Sequence, residues 1–124
     1  MLPIRVLVAE DNAFFRLTLH ALLEQEPDIE VVGQASSGEE AVALATSLRP
    51  DIVVMDLGLP GMDGAQATAE VVRYASPTRV VVLSGSSIDD ARARALEAGA
   101  VAYLEKDETC SRLVTELRAV GRAQ

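Results

Sequence analysis

The chain has 124 residues, enough for one domain with one sizeable core, and its 11 Lys and Arg against 19 Asp and Glu give a formal net charge of −8. That acidic balance argues against nucleic-acid binding by this chain's own surface, which needs Lys and Arg for phosphate contacts, and it is compatible with binding a cation. A single cysteine, Cys110, excludes an internal disulfide and favours a reducing compartment. No apolar run approaches the ~20 residues that span a bilayer. The N-terminus has no charged segment followed by a long apolar one. The expected location is cytoplasmic, with no membrane contact.

Ile4-Arg5-Val6-Leu7-Val8-Ala9 reads as a strand that runs into Glu10-Asp11-Asn12. From Phe14 to Leu23, Phe15, Thr18, Leu19, Leu22 and Leu23 recur at helical spacing, and Pro27-Asp28 breaks the pattern. Ile29 to Gly33 is a shorter second strand. Ser37-Gly38-Glu39-Glu40 has the form of a capping box, opening a helix that carries Ala41, Val42, Leu44, Ala45 and Leu48 and ends before Pro50. Ile52 to Met55 is a continuous apolar run, the pattern of a strand buried on both faces. It delivers Asp56 into Leu57-Gly58-Leu59-Pro60-Gly61-Met62-Asp63-Gly64, a loop with three glycines and a proline.

A helix from about Ala65 to Tyr74 carries Ala69, Val71 and Val72, and Arg79 to Leu83 is a fourth strand ending in Ser84-Gly85-Ser86-Ser87. Ser87 is placed to cap a helix bearing Ala91, Ala95, Leu96 and Ala98, which stops at Gly99 in a left-handed position. Ala100 to Leu104 is the fifth strand, followed by Glu105-Lys106-Asp107. The last helix, about Glu108 to Val120, has the stripe Leu113, Val114, Leu117 and Val120. Five strands alternating with five helices imply an α/β fold: a doubly wound, five-stranded parallel sheet, flavodoxin-like, in the order 2-1-3-4-5.

In that order the carboxyl ends of strands 1, 3, 4 and 5 bring Glu10, Asp11, Asp56, Ser84 and Lys106 to one edge. Three carboxylates repel one another. A hard cation such as Mg²⁺, which takes carboxylate, water and phosphate oxygens, resolves the repulsion, and the Gly58 carbonyl offers one more oxygen. A hydroxyl and an ammonium nearby suit a tetrahedral anion on Asp56. The set fits phosphoryl transfer to a carboxylate. Each member also has a plainer reading. Glu10-Asp11 reads equally as a helix cap, Ser84 as a turn former, Lys106 as a solvated charge and Tyr103 as a half-buried strand aromatic. His20 reads as a boundary residue and Cys110 as an inert thiol.

These residues, in this order and spacing, resemble the receiver domains of bacterial two-component response regulators across essentially the whole chain, residues 1–124. Val31-Val32-Gly33-Gln34-Ala35 and Gly38-Glu39-Glu40-Ala41 look most like the NarL/FixJ type. The resemblance implies that Asp56 is the phosphoacceptor, attacking the phosphohistidine of a sensor histidine kinase or a small phosphodonor. It implies Mg²⁺ on Asp11, Asp56 and the Gly58 carbonyl, with Glu10 through water, and Lys106 on the phosphoryl group. Ser84 and Tyr103 would switch with phosphorylation, changing the face of the fourth helix, fifth strand and fifth helix. That face would select partners or a homodimer, although no exposed apolar stripe argues for a dimer. DNA would be reached through a helix-turn-helix output domain absent from this chain. A piece of a transcription regulator is favoured over a stand-alone receiver.

Three positions depart from the family's pattern. Glu10 replaces Asp, Leu59 stands where Met is common, and Asp107 replaces the frequent Pro, so no cis-proline turn forms after Lys106. The alternative function is a degenerate receiver that works by protein contacts without phosphorylation. An aspartyl phosphatase of haloacid-dehalogenase type expects a second Asp where Gly58 stands. A flavin carrier would be repelled by Glu10-Asp11. The expectation is a regulatory phosphoacceptor, not an enzyme on other substrates.

Overall fold

Each apolar run read as a strand forms one. The computed structural model describes residues 2–85 and 89–122. The elements are β1 (Ile4–Ala9), α1 (Ala13–Glu24), β2 (Ile29–Ala35), α2 (Gly38–Leu48), β3 (Ile52–Asp56), α3 (Gly64–Tyr74), β4 (Arg79–Ser84), α4 (Asp89–Glu97), β5 (Ala102–Glu105) and α5 (Thr109–Arg122). The strands pair in parallel in the order β2-β1-β3-β4-β5.

The central strands separate two cores by side-chain alternation. Leu7, Ala9, Val53, Met55, Val80 and Val82 face α2, α3 and α4, whereas Val6, Val8, Ile52, Val54, Val81 and Leu83 meet Leu19 and Leu23 of α1 and Leu113, Leu117 and Val120 of α5. Every residue of β3 is buried. Asp56 therefore ends a strand that is buried throughout and paired on both sides.

Several details differ from the sequence expectation. Ser37 Oγ caps α2 by accepting from Glu40 N at 3.2 Å, but the Glu40 carboxylate accepts from Ser36 N at 2.7 Å, so the reciprocal half of the capping box falls one residue early. In α3 the buried residues are Gly64, Ala67, Thr68 and Val71, while Ala69 and Val72 are exposed. The apolar count missed this face because Thr68 buries its hydroxyl on the Gly64 carbonyl at 2.7 Å, inside the turn. Leu96 of α4 is exposed, and β5 begins at Ala102 rather than Ala100. Gly99 has φ +107, as its place after α4 predicts. The expected cap at Ser87 and the Cys110 thiol lie outside the described residues and side chains. None of the described helices is long and apolar enough to cross a membrane.

On α1, Phe14 and Leu17 are 82% and 62% exposed. They sit three residues apart on one helix face. The sequence alone does not reveal this exposed pair, because a helical apolar pattern does not say which of its members the sheet covers.

Candidate phosphoacceptor site

Each of the turns that follow β1, β3 and β5 is fixed by its own chemistry. After β1, Asn12 caps α1 through Oδ1, which accepts from Phe15 N at 2.9 Å. The cap is thus Asn12 and not the acidic pair, which leaves Glu10 and Asp11 available for other work. After β3, the Asp56 loop is held from both sides. A Cβ on Gly64 would stand 2.2 Å from the Asp56 carbonyl oxygen, and one on Gly38 would stand 1.9 Å from that of Met62. Met62 N–H donates to both oxygens of Glu39 at 3.3 Å, and Gly61 takes φ +69 to make the turn. Asp63 then caps α3, with Oδ1 accepting from Gln66 N at 2.9 Å. After β5, Lys106–Glu108 forms one 3₁₀ turn, closed by Glu105 N–H donating to Glu108 Oε1 at 3.0 Å. This is the geometry that follows Lys106 with Asp107, not proline, next in the chain.

Glu10, Asp11, Asp56, Gly58, Ser84 and Lys106 line one open cleft of about 610 Å³. Tyr103 is not among its walls. It is half-buried on β5, opposite Val82, and packs on the core beneath α2–α4. Asp56 is 4% exposed and Glu10 1%. Asp56 Oδ1 accepts from Gly58 N at 3.1 Å, and Oδ2 lies 3.3 Å from Lys106 Nζ. Glu10 Oε2 accepts from Asn12 N at 3.0 Å. Lys106 Nζ approaches Glu10 Oε1 to 2.9 Å, yet that oxygen is buried without a well-directed hydrogen bond.

Burial holds the Glu10 carboxyl above the usual carboxylate range, and the charge of Asp56 adds to this against the pull of Asn12 N–H and Lys106. For Lys106 burial works the other way, but the bond to Glu10 and the charges of Asp56 and Glu10 outweigh it and hold the ammonium above its ordinary value. Glu10 and Asp56 share the Lys106 ammonium. One oxygen each from Glu10, Asp11 and Asp56 lies within 4.8 Å of the others. An all-oxygen donor set with a buried, poorly satisfied carboxylate oxygen fits a hard divalent cation such as Mg²⁺ better than a softer metal.

Sequence reasoning missed the supports around this set. Arg16 Nη1 donates to the Glu10 carbonyl at 2.8 Å, and Arg16 Nε donates to Gln34 Oε1 at 3.2 Å. Lys106 Nζ lies 4.9 Å from the centre of the Phe15 ring, a cation–π contact. Arg94 of α4 lines the cleft. No sequence spacing announces any of these: the Arg16 contact to Glu10 crosses the β1–α1 turn, and the Phe15–Lys106 contact joins elements far apart in the chain. His20 lies outside the cleft, with Nε2 2.7 Å from Glu24 Oε1 and Nδ1 2.6 Å from Gln34 Nε2.

The response regulator receiver domain family matches residues 6–118. This chain belongs to that family. The receiver is similar to the transcriptional regulatory protein LiaR of Bacillus subtilis (strain 168), at 41% identity over 98% of this chain and 57% of LiaR. It is also similar to a protein-glutamate methylesterase/protein-glutamine glutaminase of Alkalilimnicola ehrlichii, at 43% identity over 85% of this chain and 27% of that enzyme. Among solved structures, the signal receiver domain of the putative response regulator NarL from Mycobacterium tuberculosis superposes with a TM-score of 0.95 at 33% identity, each chain covered in full. The receiver thus spans little more than half of LiaR and about a quarter of the methylesterase.

Proposed function

We propose that this receiver is a phosphorylation-dependent switch in which Asp56 accepts the phosphoryl group. The observation that carries the reading is the Asp56 carboxylate itself, buried at the end of β3 with one oxygen held by Gly58 N–H and the other facing Lys106. It is oriented before any donor arrives, which is the main contribution a protein makes to phosphoryl transfer. An Asp56 oxygen attacks phosphorus, the O–P bond forms, and the P–N bond of a kinase phosphohistidine, or the P–O bond of an acyl phosphate, breaks. The leaving imidazole or carboxylate departs with the electron pair, and Lys106 balances charge on the transferred oxygens.

Mg²⁺ would be held by Asp11, Asp56 and the Gly58 carbonyl, with Glu10 through water, and would supply charge neutralisation between carboxylates and phosphoryl oxygens. Ser84, buried at the end of β4, is the hydroxyl assigned to the phosphoryl group, and Tyr103 the aromatic that moves with it. The phosphoryl group adds charge and acceptor oxygens and so biases the α4–β5–α5 face between two states. The domain is read as spanning residues 1–124 and as regulatory, in the cytoplasm. A sensor histidine kinase is assigned as its donor, a homodimer as one possible outcome of phosphorylation, and transcription through a fused DNA-binding domain as its output. Likeness to LiaR, a transcriptional regulatory protein by name, over 98% of the chain supports that output over an esterase.

The test is incubation with acetyl phosphate, with and without Mg²⁺, followed by intact mass beside Asp56→Asn. A Mg²⁺-dependent gain of one phosphoryl mass, lost in the variant, is expected. No adduct under any condition would transfer the assignment to a receiver acting through its unmodified surface.

A further inference from the structure

Lys106 has a cationic companion in the cleft. Arg94 lines it from α4, together with Asp56, Gly58 and Lys106. Its Nη2 lies 3.4 Å from Asp63 Oδ2, and the two side chains are 48% and 47% exposed. A tight guanidinium–carboxylate bond closes to about 2.7–2.9 Å. Asp63 is committed elsewhere, because its Oδ1 caps α3. The Arg94 guanidinium is therefore a loosely held charge at the mouth of a site where three carboxylates cluster and Lys106 reaches two of them.

We propose that Arg94 binds the phosphoryl group delivered to Asp56, leaving Asp63 as the anion arrives. The inference rests on Asp56 being the phosphoacceptor. A phosphoryl group carries about −1.5 to −2 charge and three strong acceptor oxygens, against the single charge of Asp63. A planar guanidinium presents its donors in a fork that matches phosphate oxygens, which a lysine does not. The exchange spares the α3 cap, since Asp63 Oδ1 makes it. It moves one polar contact of α4 from the start of α3 to the acceptor carboxylate, while Ala91 and Ala95 keep the helix on the core. Arg94 thereby acts on donor recognition and on helix position together.

The test titrates acetyl phosphate in its low-concentration range at constant ionic strength and free Mg²⁺, with initial phosphorylation rates read by intact mass. Wild type, Arg94→Ala, Arg94→Lys and Asp63→Asn are compared. The rate per donor concentration is expected to fall about threefold to fivefold in Arg94→Ala, the scale of a half-exposed ion pair, and to recover in part in Arg94→Lys. In Asp63→Asn, which keeps an Ncap residue and removes the competing charge, it is expected to rise above wild type. The Arg94→Ala deficit should narrow as salt approaches about 1 M. An unchanged rate in Arg94→Ala, with Asp56 still phosphorylated, overturns the assignment. A fall in Asp63→Asn equal to that in Arg94→Ala also overturns it, because the pair would then matter only as a structural link. No adduct even in wild type overturns the phosphoacceptor reading, and this inference with it.

Discussion

At the amino edge of the sheet, Arg118 of α5 forks onto Asp28, with Nε 2.8 Å from Oδ2 and Nη2 3.0 Å from Oδ1, and Nη2 reaches Glu26 Oε1 at 2.6 Å. Nearby, Arg5 N–H donates to Asp51 Oδ2 at 2.8 Å and Thr78 Oγ1 to the Pro50 carbonyl at 2.6 Å. At the carboxyl edge, Glu10, Asp11 and Asp56 crowd together, Lys106 reaches Glu10 and Asp56, and a buried Glu10 oxygen lacks a well-directed hydrogen bond. Both edges use carboxylates and cations. The amino edge spends them on fixing β1, β2 and α5 in place, and there the bonds to Asp28 and Glu26 hold the Arg118 guanidinium above its ordinary value. The carboxyl edge keeps an excess of negative charge that nothing in the fold requires. Such an imbalance around buried Glu10 and Asp56 is what supports the proposed phosphoacceptor reading.

The comparison breaks first if the Asp56 loop is not as tightly held as its backbone contacts indicate. Gly64→Ala would press a methyl group into the Asp56 carbonyl, at the end of a fully buried strand, and is expected to cost about 3 kcal/mol in urea unfolding. A variant as stable as wild type would mean that the loop yields.

Glu10→Gln sharpens the contrast between the edges. It removes one of the crowded carboxylates while keeping an acceptor for Asn12 N–H, so the metal-free protein should gain about 1 kcal/mol at neutral pH, as when strain at a functional site is relieved, and Mg²⁺ binding should weaken. The Glu10 pKa is raised in the folded state, so its ionisation costs stability above its ordinary value of 4.5. That cost shrinks as pH falls through the folded value, and the gap between variant and wild type should close with it. Lys106 behaves in the opposite sense. With its folded pKa raised above 10.5, its contribution is complete below that value and is lost as pH rises through the folded one. Thermal unfolding across pH reads both windows. A destabilised Glu10→Gln protein would place Glu10 with the structural carboxylates.

The smallest effect is expected at the amino edge. Arg118→Lys keeps the charge and loses the fork onto Asp28, so Tm should fall by less than in Gly64→Ala, with phosphorylation unchanged. Loss of phosphorylation there would show that the two edges are not separate in function.

The strands and their order were legible because the apolar runs at Val80 to Leu83 and Ile52 to Met55 admit few alternatives, and because regular alternation leaves few crossovers. The acidic edge followed from topology alone. The buried face of α3 did not, since Gly64 and Thr68 are chosen for close approach and an internal hydroxyl bond rather than for hydrophobicity. Gly38 passed as the interior of a capping box, although its missing Cβ is what admits the Met62 carbonyl. Arg16 and Arg94 carried no sequence signal, because what they touch is set by tertiary packing.

The central claim is that the single buried carboxylate ending β3 takes the phosphoryl group. Borohydride trapping tests it most directly: the protein is phosphorylated with acetyl phosphate and Mg²⁺, reduced, digested and read by peptide mass spectrometry, since reduction converts an aspartyl phosphate to homoserine. The account predicts homoserine at position 56 alone. Homoserine at position 11 or 63, or a phosphoryl adduct that yields none, would contradict it.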